Sequence, residues 1–310
     1  MIITLGTTPA LQRTMRFESL RVDGVNRALN VHEHASGKSI NVARVIHTMR
    51  KPCIATGFLG GKNGAFCQQE MESSGIEQSF VEVNANTRIC TTLIDQTNHS
   101  ATELVEEAAA ITADDARNLL EHLQELLKRA RVLVLAGTIA PGCGQDFYAR
   151  CASLANSRNV PVILDAKGEA LKVALEQKPF VVKPNQSELA TTVGGVIKSI
   201  GDLQQAIREV VSMGASWVVV TNGAAETVVS NGREFWTVQT PKVPVINPIG
   251  SGDALAAGIA MGLTDRKSLP EACLDGIACG AANAMTEQAG HVRVDDVLRL
   301  RAQIKLQSSV

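Results

Sequence analysis

From about residue 130 onward, short runs dense in Val, Ile and Leu alternate with helix-patterned stretches, and this alternation constrains the fold more than any other feature of the chain. The runs are 131–136 (RVLVLA), 160–165 (VPVILD), 180–183 (FVVK) and 217–221 (WVVVT). A Gly- and Pro-containing loop and a helical stretch through Cys151 follow the first, and a helix-like stretch over 200–213 precedes the last. Near-continuous apolar strands separated by helices mean a parallel sheet covered on both faces. The reading is therefore an α/β protein with a doubly wound, mostly parallel sheet. Aromatic residues make up only 3% of the chain, so Ala, Val, Ile and Leu must fill its core. Ligands of such sheets bind beyond the carboxyl ends of the strands. Thr138, Asp165, Lys183 with Asn185, and Thr221 follow or end these runs and are candidates to line one crevice.

The first hundred residues read differently. Segments 11–35 and 86–104 contain short strands of polar alternation, at 27–32 (RALNVH) and 88–94 (RICTTLI), with a helix over 40–49 and a strand over 53–58 between them. They are read as one small antiparallel sheet, discontinuous in sequence. It projects from an α/β domain made of 1–10, 36–85 and 105–310. The tail after Ala302 is expected to fray. A formal net charge of −1 argues against a protein built to hold nucleic acid. No segment approaches 18 uninterrupted apolar residues, so no membrane span is expected, and the N-terminus reads as a first strand. The seven cysteines include no CxxC pair, which suits buried, reduced thiols in a cytoplasmic protein rather than a disulfide framework or a zinc site.

Three motifs carry chemistry. Residues 247–253 (NPIGSGD) lead into a long apolar helix pattern. Gly250 and Gly252 allow a tight turn, and the amides of a helix N-terminus favour an anion. A carboxylate at 253 beside that cradle suits phosphoryl transfer, with Asp253 accepting a hydroxyl proton; Asp253 also reads as a simple helix-start residue. Residues 36–43 (SGKSINVA) again open a helix from small residues, now with a cation at Lys38 and an amide at Asn41. Residues 183–188 (KPNQSE) place Asn185 and Glu188 three apart, able to hold hydrated magnesium or to cap a helix. No Walker GxxxxGK[ST] run is present.

In this order, GKSINVAR near residue 40, Arg88 in a strand, AGTIAPG at 136–142, KPNQSEL at 183–189 and NPIGSGD at 247–253 resemble the ribokinase superfamily over nearly the whole chain. The likeness is to its phosphofructokinase B branch, in particular the 1-phosphofructokinase and tagatose-6-phosphate kinase group. The resemblance implies a small β-sheet lid on the α/β domain, an ATP- and Mg²⁺-dependent kinase of a sugar phosphate, and a homodimer formed through the lid. It makes Asp253 the base and the amides of Gly250, Ser251, Gly252 and Asp253 an anion hole. It assigns Lys183, Asn185, Glu188, Thr221, Gly223 and Asn283 to the nucleotide, with Asn185 and Glu188 reaching Mg²⁺ through water. Gly37, Lys38, Asn41 and Thr138 fall to the sugar, and Arg27 and Arg88 to the substrate's own phosphate, which two guanidinium groups grip well.

The chain departs from this pattern in its sugar pocket. The branch usually reads N-P-A-x-D after the first strand; here the run is Thr8-Pro9-Ala10-Leu11-Gln12, and neutral Gln12 offers a donor as well as an acceptor. Ser36 and Ser39 stand where glycines are common, as does Glu226 in the nucleotide loop. A sensor that binds the sugar phosphate or nucleotide without turnover, and a kinase of another sugar or a nucleoside, remain alternatives at this level. His32 and His34 share one strand face and are read as surface residues of the lid.

Overall fold

Alternate side chains of each buried strand enter different cores. In the run 132–136, Val132, Val134 and Ala136 join one cluster, while Leu133 and Leu135 join the other. The computed structural model describes residues 1–309. Its strands are β1 (Ile2–Gly6), β2 (Ala10–Phe17), β3 (Asn30–Ser36), β4 (Cys53–Gly60), β5 (Val81–Val83), β6 (Arg88–Asp95), β7 (Ser100–Val105), β8 (Val132–Ala136), β9 (Val162–Asp165), β10 (Val181–Val182), β11 (Trp217–Val220), β12 (Thr227–Ser230), β13 (Phe235–Val238) and β14 (Leu306–Ser309). Its helices are α1 (Lys38–Thr48), α2 (Gly61–Ser73), α3 (Ala113–Leu126), α4 (Phe147–Asn156), α5 (Gly168–Leu175), α6 (Gln186–Val193), α7 (Ile200–Ser212), α8 (Ser251–Thr264), α9 (Leu269–Ala284) and α10 (Val294–Arg301).

The large sheet has ten strands in the order β14-β13-β12-β11-β10-β9-β8-β1-β4-β5. It is parallel from β5 to β11 and antiparallel from β11 to β14. One face is covered by α1, α8 and α9, the other by α3, α4, α5 and α7. This is the doubly wound, mostly parallel architecture. The tail after Ala302 is a correction to the expectation of fraying: β14 pairs with β13, Leu306 facing Val238, which covers an otherwise open edge.

The second sheet runs β3-β2-β6-β7. It is mixed rather than purely antiparallel, because β2 and β6 pair in parallel from Ala10 opposite Arg88. Both strands leave the large domain at the same boundary and head the same way, so parallel pairing follows. The strand read over 27–32 begins three residues later, at Asn30. Ahead of it Asn26 folds the chain back on itself, its side chain bonding the backbone of Arg21 in both directions, and Asp23 adopts a left-handed φ of 59°. Among the described residues no helix is long and apolar enough to cross a membrane, and all seven cysteines are free and buried.

Candidate active site

The chain winds outward from β1 in both directions, to β4 and β5 on one side and to β8 through β11 on the other, so a crevice forms beyond the carboxyl ends of the central strands. A cavity of about 600 Å³ occupies it, between the large sheet and the inner face of the small one. Gln12, Arg88, Cys90 and Glu103 face it from the small sheet; Gly37, Lys38 and Asn41 come from the start of α1.

The loop before α8 forms the opposite wall. Gly250 is the N-cap at φ 84°. A Cβ there would lie 2.8 Å from the amide nitrogen of Gly290, so both the conformation and the space demand glycine. No side chain caps the helix, and among the described residues the amides of Gly252 and Asp253 have no acceptor. Such free first-turn amides, at the positive end of the helix dipole, form an anion cradle. Ser251 and Gly252 line the cavity with them.

Asp253 sits in the first turn of α8, 6% exposed. Its Oδ2 accepts from Asn41 Nδ2 at 2.8 Å, and Asn41 Oδ1 accepts from Ser36 Oγ at 2.9 Å. Burial raises the Asp253 carboxyl, and the charge of Asp165 adds to it. Lys38, the Asn41 bond and Lys183 oppose, leaving the pKa at about 6. Asp165 ends β9 and takes both lysines: Lys38 Nζ at 2.9 Å on Oδ1 and Lys183 Nζ at 3.1 Å on Oδ2. Burial alone would raise the Asp165 pKa, yet the two cations bring it to about 2. Burial alone would likewise lower that of Lys38, and Asp165 and Asp253 overcome it. The site thus keeps one carboxylate firmly ionised and poises the other near neutrality.

Asn185 and Glu188 realise the capping reading. Asn185 Oδ1 accepts from the Glu188 amide at 2.8 Å, and Glu188 Oε2 accepts from the Asn185 amide at 3.0 Å. Both still line the cavity, and Glu188 Oε1 has no hydrogen-bond partner among the described residues. Lys183, Thr221 and Gly223 line the same end, with Thr221 bridged to Asn185.

Three expected residues lie elsewhere. Arg27 is exposed on the loop before β3, away from the cavity wall. Thr138 is turned to Thr8, whose hydroxyl lies 3.1 Å from its own. Asn283 is fully buried behind the anion loop, donating to Ile249 O and accepting from the Gly290 amide, so it braces the loop instead of facing the cavity. His34 corrects the surface reading: it is 3% exposed, edge-on to His291 at 5.3 Å, whereas His32 is partly exposed. Two residues of the cavity were not legible as such. Asp165 could be placed in the crevice by its strand end but given no role, and Glu103 carried no motif at all.

The profile of the pfkB family carbohydrate kinases matches residues 3–295. The chain belongs to that family. It is an ATP-dependent sugar kinase of the ribokinase superfamily. Among solved structures, phosphofructokinase-2 from Escherichia coli in complex with potassium is 26% identical and superposes with a TM-score of 0.90, covering 97% of this chain and 98% of its own. A candidate phosphofructokinase from Staphylococcus aureus is 28% identical with a TM-score of 0.82, over 100% and 99% of the two chains. A Thermotoga maritima protein, named a possible 1-phosphofructokinase, shares the fold at 22% identity and a TM-score of 0.90, over 100% and 99%.

Proposed function

We propose that this pfkB kinase transfers the γ-phosphoryl group of MgATP to a hydroxyl of a sugar phosphate. The acceptor class is a ketohexose phosphate such as fructose 1-phosphate, fructose 6-phosphate or tagatose 6-phosphate, and Asp253 is the base. The observation that carries this reading is the buried Asp253, poised near neutrality and adjacent to the unpartnered amides of Gly252 and itself. A base with a pKa near the working pH takes a proton efficiently and is still ionised in most molecules. Asn41 holds the carboxylate in place and leaves its Oδ1 free to face the acceptor hydroxyl. The loop amides meet the charge that develops on the transferring group, with Lys38 and Lys183 adding cationic charge nearby.

ATP fits the end of the cavity bounded by Lys183, Thr221 and Gly223. Magnesium keeps most of its waters and binds through few carboxylates and the substrate's phosphates. The free Oε1 of Glu188 suits such water-mediated contact, and no group of three or more His, Cys, Asp or Glu among the described residues forms a dedicated cage. When bound, the ion neutralises phosphate charge.

On the sugar side, Gln12 donates from Nε2 to Thr92 Oγ1 at 2.8 Å, which leaves its carbonyl oxygen to accept from a sugar hydroxyl. Arg88 spends one N–H from each Nη on the carbonyls of Glu106 and Thr8, and the second on each remains for a phosphate. The E. coli relative has been solved in complex with fructose-6-phosphate, a phosphorylated ketose. The lid, taken as 11–35 and 86–104, would close over the acceptor and exclude water, and its outer face would pair two copies of the chain. The free buried thiols suit a cytoplasmic setting.

The test is turnover. Purified protein with MgATP is offered the three ketose phosphates, the corresponding free sugars, ribose and nucleosides, with ADP release as readout. Turnover on one phosphorylated ketose, reduced about 10³-fold or more in Asp253→Asn while nucleotide binding persists, is expected. A free sugar or nucleoside as best substrate would overturn the acceptor class, and an active Asp253→Asn would overturn the base.

A further inference from the structure

Between α9 and α10 the chain passes behind the anion loop through residues 285–293. This segment is fastened on two sides. On one side the carboxylate of Glu287 reaches two adjacent strands of the lid, β2 and the edge strand β3: Arg16 Nη1 of β2 donates to Oε1 at 3.0 Å, and His32 Nε2 of β3 lies 3.9 Å from Oε2. His291 of the same segment meets His34 of β3 edge-on. On the other side, the backbone carbonyl of Glu287 accepts from Asn247 Nδ2 at 2.8 Å. Asn247, 1% exposed, holds the amide of Ile249 through its Oδ1.

The packing leaves no slack. A Cβ on Gly250 would meet Gly290 N at 2.8 Å and Ala289 Cβ at 2.9 Å, and a Cβ on Gly290 would meet Asn41 Cα at 2.7 Å. Asn41 is the partner of Asp253. One residue, Glu287, therefore grips the lid with its side chain and the anion loop with its backbone.

We propose that Glu287 is a positioning residue that couples the lid to the loop preceding α8. Lid geometry and the placement of the Gly252 and Asp253 amides then change together. A lid held open by an empty acceptor site leaves the cradle relaxed, and closure on the acceptor draws it into register. The consequence for turnover rests on the kinase reading above; the mechanical coupling does not.

Two measurements separate the two. The first is amide hydrogen exchange of the full chain over 245–253, comparing wild type with Arg16→Ala and Glu287→Ala. Among the described residues the hydrogen bond of Arg16 runs to Glu287, whose carbonyl holds Asn247, so faster exchange in the loop of Arg16→Ala, at least about threefold and matched by Glu287→Ala, is the expected result. Exchange unchanged in the loop of Arg16→Ala would overturn the proposal whatever the enzyme's substrate. The second is steady-state kinetics with the sugar phosphate identified by the screen. Each single variant should lose about tenfold in kcat with a smaller change in the KM for ATP, gain ATP hydrolysis without acceptor, and keep its melting temperature. Arg16→Ala combined with Glu287→Ala should be no worse than either alone. Losses that multiply, or a fall in melting temperature with kcat intact, would reduce Glu287 to a structural tether and overturn the proposal.

Discussion

Ionising Asp253 inside the fold costs free energy, because its pKa of about 6 stands above the 3.8 of a free side chain. The native state therefore holds this proton more tightly than the unfolded chain does. The group's contribution to stability is present at acid pH and is lost as pH rises through about 6. Two opposite consequences follow for one residue. Turnover should rise with pH through about 6 as the base ionises, while Asp253→Asn, which has no charge to bury, should be the more stable protein at pH 8. A gain of about 1–2 kcal/mol is expected, measured by denaturant titration at pH 8 and shrinking towards pH 5. Equal stability of the two proteins at both pH values would mean that Lys38, Lys183 and the Asn41 hydrogen bond already offset the burial of this charge. At this scale the sequence was most readable where chemistry and backbone coincide. Gly250 caps α8, and Asp253 and Asn41 sit in the first turns of helices whose start small residues announce. Arg27 and Asn283 rest on the resemblance and Thr138 also on its strand end; the path of the loop before β3 carries Arg27 away from the cavity, and side-chain direction turns Thr138 and Asn283 from it.

Helix α8 delivers Asp253 to the cavity, and its own position is fixed by close contact with α9. A Cβ on Gly258 would lie 2.5 Å from both Cα and N of Gly276, and one on Gly262 would lie 2.6 Å from Ala272 Cβ. The two helices meet backbone to backbone, so the glycines are space requirements and not turns. Gly258→Ala keeps helical preference yet forces the pair apart; a loss of about 2–3 kcal/mol is expected, well beyond the gain in helix propensity. Thermal unfolding checks it, and a variant as stable as wild type would show that α8 slides freely on α9. Helix and strand identities in this half of the chain were legible because period and length agree, as in 217–220 or 200–212. Pairing partners were not. That β2 and β6 run parallel depends on the path of the chain between them, residues 18–87. That β14 closes an edge depends on a neighbour seventy residues away, whose open backbone groups no local pattern reveals.

The lid presents a second face that the cavity does not use. Along its strands the inner residues Gln12, His34 and Cys90 alternate with outward ones, and Val31 and Leu104 remain 47% and 54% exposed. Beside them the loop before β3 leaves Val22 and Val25 at 100% and 84% exposure. Apolar side chains gathered on one face of a thin sheet are stable in water only at a cost of about 25 cal/mol per Å² left uncovered, which a partner can recover. A second copy of the same face is the occupant we expect, since a two-fold axis through the sheet brings like residues together. Sedimentation should then give twice the chain mass of 32.9 kDa. Val31→Glu with Leu104→Glu should return the single mass with little change in melting temperature, because neither side chain belongs to a core. Arg27 is exposed on the same projecting loop. Activity lost together with dimerisation would mean that the acceptor site is completed across the interface. Activity retained by the monomer would leave each cavity self-sufficient, with Arg88 and Lys38 as the cations that meet the sugar phosphate.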